Sequence, residues 1–260
     1  MKTILNTPRG RVVAAAALGL VLGPVAHAAT FNLNPSIDAF VTTGPSGNLS
    51  TSNYGGAGAL SVAASGLSKG EFQSVLQFDL ASARASFDTQ LGAGQWHIQS
   101  ISLSLTATSP GANLIFNSSA AGQFGISWMQ NDSWTEGTGT PASLGATGVT
   151  FSSLPSFTSA GDESLGSFSF AGGASGTGSY SLSLTPGFSA DASAGNLVSF
   201  RLAAADSAVS YLFNSRTFGT VASRPLLSIV AVPEPGLLSL LVMGAVVLCG
   251  ARRRELNRQG

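Results

Sequence analysis

The sequence predicts an all-β, antiparallel β-sandwich carried between two terminal address segments. Three observations predict it. Short runs alternate polar and apolar residues with period two, the pattern of a strand with one face on a core and the other in water. Gly and Ser make up 71 of 260 residues and gather between those runs, where turns need them. No stretch of the body holds an i, i+3, i+4 apolar stripe longer than about two turns, so helix content is expected to be minor.

In chain order, Lys2, Arg9 and Arg11 precede an apolar run over residues 12–25 that ends in Ala26-His27-Ala28. A positive start, a short apolar core and small residues at Ala26 and Ala28 have the form of a secretory signal peptide, cut by signal peptidase after residue 28. Fourteen residues are too few to span a bilayer comfortably, which weighs against a permanent anchor.

The body follows. Its clearest alternation is Ser100-Ile101-Ser102-Leu103-Ser104-Leu105-Thr106, with similar runs at 73–80, 168–170, 180–184, 197–202, 209–213 and 226–230. Turn-formers separate them at Thr43-Gly44-Pro45-Ser46-Gly47, at Ser109-Pro110-Gly111 and over 171–179. A hydrophobic fraction of 44% is too high for a disordered polymer, so this region folds. Many short strands without a fixed-period repeat favour two packed sheets over a solenoid.

Past residue 231 the character changes. Val232-Pro233-Glu234-Pro235 leads into an uncharged stretch over 236–251, and Arg252, Arg253 and Arg254 follow. Sixteen residues approach the length of a membrane-spanning helix, and the arginines would hold that end in the cytoplasm. With both ends set aside, the body carries five basic residues (Lys69, Arg84, Arg201, Arg216, Arg224) against eleven acidic ones, net −6. Nucleic acid is therefore excluded as an expected partner, because phosphate binding needs clustered Lys and Arg. The sole cysteine, Cys249, lies in the apolar tail, so disulfides and thiol catalysis are excluded for the body.

Two resemblances sharpen this outline. The C-terminal order of Pro-Glu-Pro, short apolar helix and arginines, residues 232–260, resembles the PEP-CTERM sorting signal of Gram-negative bacteria. That resemblance implies an exosortase as processing partner and a transient stay in the inner membrane through the C-terminal helix. It also implies later residence at the cell surface or in the extracellular matrix. Within residues 29–231, the series Asp38-Ala39-Phe40-Val41, Asn53-Tyr54-Gly55-Gly56, Leu60-Ser61-Val62, Leu76-Gln77-Phe78-Asp79-Leu80, Trp134-Thr135-Glu136-Gly137, Asn214-Ser215-Arg216 and Arg224-Pro225-Leu226-Leu227 resembles the DNRLRE domain. It implies a jelly-roll-like sandwich related to carbohydrate-binding modules. Gln73 and Gln77 stand where members often carry Arg, and Thr217 where Glu commonly follows Ser-Arg.

Catalytic groups are sparse. His97 is the body's only histidine, no nucleophile elbow of Gly-x-Ser-x-Gly type sits on an expected strand-to-helix turn, and no His-Glu-x-x-His pattern is present. Asp132 and Glu136 flank Trp134, which admits a glycosidase pair; the alternative is that Glu136 is structural, clamped by an arginine fork. Asp79, Glu136, Arg216 and Arg224 are assigned to that structural role, with Arg216 and Arg224 as the expected partners of Glu136. For sugar contact the candidates are Tyr54, Trp128 and Trp134, whose rings could stack on pyranose faces. No cofactor is expected, although Asp38, Asp79 and loop carbonyls could hold a structural calcium. The sequence thus points to an exported, non-catalytic protein that binds or embeds in extracellular polysaccharide. A purely structural surface protein is the alternative, and a polysaccharide-cleaving enzyme the third reading.

Overall fold

The computed structural model describes residues 27–110 and 115–234. The signal segment up to Ala26, Pro235, the apolar stretch 236–251 and Arg252, Arg253 and Arg254 lie outside the described residues. Within them, no helix is long and apolar enough to cross a membrane.

Among the described residues, eleven strands form two antiparallel sheets. The smaller sheet takes the order β1 (Ala29–Leu33), β11 (Leu226–Pro233), β5 (Trp96–Thr106), β8 (Thr177–Leu182). The larger runs β10 (Ser210–Asn214), β3 (Ala59–Ala63), β4 (Phe72–Asp79), β9 (Leu197–Ala204), β6 (Gly122–Met129), β7 (Glu163–Phe170). Here β2 (Ile37–Thr42) also pairs with β4, along six residues, while β3 touches β4 only at Ala63 and Phe72. The β-sandwich expected from the alternation is therefore present.

Strand β5 shows how alternation becomes packing. Ile101, Leu103 and Leu105 point into the main core, and Ser102, Ser104 and Thr106 are only partly buried on the other face. Near its start the register with β11 slips by one: Val230 pairs with Ser100 but Ala231 with Ile98. This bulge at Gln99 lets Ile98 and Ile101 both face inward, although their odd spacing would otherwise send them to opposite faces. Leu76, Phe78, Phe124, Phe200, Tyr211 and Phe213 meet these residues from the larger sheet.

Two features depart from the expectation of half-solvated strands. Strand β4 is buried along both faces, because the long connection after β6 folds back over the outer side of the larger sheet. A second core results, of Ala39, Val41, Val75, Met129, Trp134, Val149 and Leu154. Two helices also appear, α1 (Ala81–Leu91) and α2 (Pro186–Ala194). Each buries only two residues, Ala83 and Phe87 or Phe188 and Ala192, so their apolar stripes are too narrow to show as a periodic pattern. Helix α2 is set by its ends instead. Pro186 opens it, Gly195 closes it at φ 72°, and the Glu163 carboxylate on β7 accepts hydrogen bonds from Gly187 N, Phe188 N and the Thr185 hydroxyl.

Candidate functional site

The segments whose motifs stand out in the sequence converge on one place. Asp38 sits on β2, its carboxylate Oδ2 accepting the Arg216 amide at 2.7 Å, while its own amide donates to Glu136 Oε1 at 3.0 Å. The Arg216 guanidinium forks onto Glu136, with Nε on Oε1 at 2.7 Å and Nη2 on Oε2. Three chain segments, near 38, 136 and 216, are thereby tied together. The Arg216 clamp on Glu136 is the arrangement anticipated for these two residues.

Asn53 makes the neighbouring joint. Its Nδ2 donates to the Glu136 and Val149 carbonyls at 2.7 and 2.8 Å, and its Oδ1 accepts from the Gly55 and Gly139 amides, both at 3.1 Å. All four hydrogen-bonding positions of a buried amide are filled. The approach requires glycine. A Cβ on Gly55 would lie 2.1 Å from the Glu136 carbonyl oxygen, and one on Gly137, which is at φ +73°, 2.2 Å from that of Thr147.

The electrostatics are those of a buried lock. Asp38 is 1% exposed, and burial, with the nearby Glu136 charge, pushes its carboxyl up to about 7 despite the Arg216 amide bond. The hydrogen bonds that Arg216 donates to Glu136 raise the Arg216 pKa further and keep the guanidinium charged. Asp132 is pushed up by burial as well. Its main-chain oxygen accepts Gln77 Nε2 at 2.8 Å, and its Oδ1 is buried without a partner. Asp132 and Glu136 are thus engaged by different partners. Glu136 accepts three donors, the Asp38 amide and two nitrogens of the Arg216 guanidinium.

The remaining assignments divide. Tyr54, Trp128 and Trp134 do not stand on the surface as stacking platforms: they are 0%, 4% and 2% exposed. Tyr54 stacks on Phe40 at 4.7 Å and 9°, and Trp134 donates Nε1 to the Ser199 hydroxyl at 2.9 Å beneath the folded-back connection. Trp128 belongs to the main core, so close to α2 that a Cβ on Gly187 would lie 2.6 Å from its ring. In each case apolar area that a sugar could have covered is covered by the protein. Arg224 does not share Glu136 either; after the short turn Val221–Ser223 its Nε donates to the Phe218 carbonyl at 2.7 Å. Asp79 is exposed and accepts the Ala81 amide at 3.0 Å at the start of α1. Asp38 and Asp79 have separate partners, and no group of three or more metal-ligating side chains exists among the described residues. His97 is exposed on β5. Val232 and Pro233 lie in β11, paired with His97 and Trp96, and the Glu234 amide donates to Gln95 O at 2.8 Å.

Gln73 and Gln77 carry roles that sequence reasoning did not assign. Gln73 bridges Arg201 Nε, at 2.7 Å, to Glu71 Oε1, at 2.6 Å. Gln77 reaches Asp132 O and the Ser199 hydroxyl beneath Trp134. Clefts among the described residues include one of about 380 Å³ lined in part by Thr140, Pro141, Asn214 and Phe218, and one of about 320 Å³ lined by residues of β7, β8 and the loop between them.

No family model matches the chain, and no curated protein matches it. Among solved structures it is similar to a chain of desmodium yellow mottle tymovirus, at 9% identity over 91% of this chain and 97% of that one, with a TM-score of 0.26. At that score the likeness carries no argument about function.

Proposed function

We propose that the chain is an exported, non-catalytic surface or extracellular-matrix protein, sorted by a PEP-CTERM and exosortase route, whose sandwich binds or embeds in extracellular polysaccharide. The observation that carries this reading is the C-terminal succession of Pro233-Glu234-Pro235, an uncharged stretch and Arg252-Arg253-Arg254. The fold is compatible with it. Strand β1 begins at Ala29, one residue after the expected signal cleavage, and pairs antiparallel with β11, which ends at Pro233. The two ends of the folded body therefore lie side by side, Ala29 opposite Ala231, and a membrane-bound tail need not cross the sandwich. The carboxylates support a non-catalytic body, since Glu136, Glu163 and Asp206 each hold several donors of the fold. Burial of Tyr54, Trp128 and Trp134 favours, as a second reading, a structural surface protein without a glycan ligand.

The test is the intact mass and location of the protein from its native host and from a mutant lacking the exosortase. A body trimmed after about Ala28 and near Pro235, found in the matrix only in the wild type, is the expected result. An uncleaved tail and inner-membrane residence in both strains would refute the sorting route. Affinity electrophoresis in matrix polysaccharides separates the two readings, because retardation is expected only of a glycan binder.

A further inference from the structure

The body's only lysine is buried. Lys69, in the connection between β3 and β4, is 4% exposed, and its Nζ donates to three oxygens: the Ser118 carbonyl, Ser118 Oγ at 2.8 Å and Ser210 Oγ at 2.9 Å. The Phe116 ring lies against it, 4.1 Å from Nζ to the ring centroid. No carboxylate is paired with Lys69 among the described residues. Although the ring and the three oxygens favour an ammonium, burial opposes the charge and lowers the Lys69 pKa below that of a free lysine.

The hydrogens distinguish the two serines. Ser210, 1% exposed on β10, donates its hydroxyl hydrogen to the Ser118 carbonyl at 2.8 Å, so towards Lys69 its Oγ can only accept. Once neutral, the amine keeps donors for the Ser118 carbonyl and Ser210 Oγ, and its lone pair is left facing Ser118 Oγ. The Ser118 hydroxyl hydrogen has one other acceptor, Asn117 Oδ1, at a long 3.4 Å. Ser118 itself is exposed. An exposed hydroxyl within hydrogen-bond reach of a buried amine, which a third group orients, is the arrangement by which a base activates a serine nucleophile. Lys69 would be that base and Ser210 the positioning residue.

We propose that Ser118 and Lys69 form a nucleophile–base pair through which Ser118 accepts an acyl group from an activated ester. Neutral Lys69 takes the Ser118 hydroxyl proton as Oγ bonds to the acyl carbon. The bond from that carbon to the leaving oxygen breaks, and Lys69 returns the proton to the departing alcohol. Ser118 is left as an ester. One acylation per chain modifies the body without turnover, so the proposal goes beyond the sorting and polysaccharide readings and depends on neither.

The protein as isolated from its producing cells would be treated with p-nitrophenyl acetate across a range of pH and mapped by peptide mass. An acetyl group on Ser118 is expected, formed at a rate that rises with pH and levels off below pH 10.5, the free-lysine value. Ser118→Ala keeps the carbonyl that Lys69 and Ser210 use, and should remove that acetyl group while leaving the unfolding midpoint unchanged. Lys69→Arg keeps a cation but cannot take a proton, and should slow the reaction about a hundredfold. If that variant fails to fold, the wild-type pH profile decides, because an unassisted serine reacts in step with hydroxide and does not level off. Absence of an acetyl group at Ser118, acetylation of Lys69 in its place, an unchanged rate in folded Lys69→Arg, or a rate that climbs without levelling would overturn the pair.

Discussion

Replacing Asp38 with Asn removes a charge that the fold opposes while keeping a side-chain oxygen for the Arg216 amide. In the folded chain the Asp38 carboxyl titrates near 7, against 3.8 for the free side chain, chiefly because burial disfavours its ionised form. Between those two values the folded state holds a proton that the unfolded state has released. Stability from this group is therefore complete below about pH 4 and declines as pH rises, levelling off above pH 7 or so. Three pK units correspond to about 4 kcal/mol over that window. The assay is urea unfolding followed by the fluorescence of the buried Trp128 and Trp134, at intervals from pH 4 to pH 8, for wild type and Asp38→Asn. Other titrating groups, Asp132 included, largely cancel in the difference between the two proteins. The variant should gain on the wild type by about 4 kcal/mol from pH 4 to pH 8. A difference that is constant with pH would refute the reasoning, because it would mean that Asp38 is ionised in the fold across the whole range.

Three further outcomes follow from the same geometry. Asn53→Ala strands two amides and two carbonyls at the joint between 53–55 and 136–149, and should lower unfolding free energy by roughly 4 kcal/mol in denaturant titration. Trp134→Ala should cost about 3–5 kcal/mol of stability through the cavity it leaves over Val75 and Met129, read as a lowered urea midpoint; an unchanged midpoint would contradict its burial. Glu163 is held below the usual carboxylate range by the Thr185 hydroxyl and the α2 amides, so its contribution is present above the unfolded Glu value and lost as pH falls through the folded one. Glu163→Gln should flatten that acid limb, which thermal melts from pH 5 down to pH 2 would show.

Much of the fold was legible where a strand has one solvated face. The 100–106, 197–202 and 226–230 runs fall inside β5, β9 and β11, and the 209–213 run is offset by one residue from β10. Legibility failed where burial is decided by distant chain. The 180–184 run belongs to a strand that starts at Thr177, inside the expected loop, because Gly178 and Ser179 are ordered by pairing with Leu105 and Ser104 rather than by their own propensity. Trp134 reads locally as a loop aromatic; its burial depends on Asn53, 81 residues earlier, drawing residues 136–149 over the outer sheet face. Of the site, the Glu136–Arg216 pair was readable because a carboxylate and an arginine in a body so poor in charge have few other partners. The contact of Lys69 with Ser118 was not, since a lysine carries no mark in sequence of which distant hydroxyl it meets.

The body's acidity also reads differently once its carboxylates are placed. A net charge of −6 would ordinarily suggest a cationic partner or long-range repulsion. Yet Glu136 accepts the Asp38 amide, Asp79 that of Ala81, Asp162 that of Gln130, Glu163 those of Gly187 and Phe188, and Asp206 those of Gln123, Ala208 and Val209. A sandwich with long Gly- and Ser-rich connections leaves many main-chain N–H groups outside the sheet ladders, and an ionised carboxylate is the strongest side-chain acceptor for them. Basic side chains cannot serve that need, because Lys and Arg only donate. An excess of acid is then what the connections require of the fold, and it needs no charged partner to explain it.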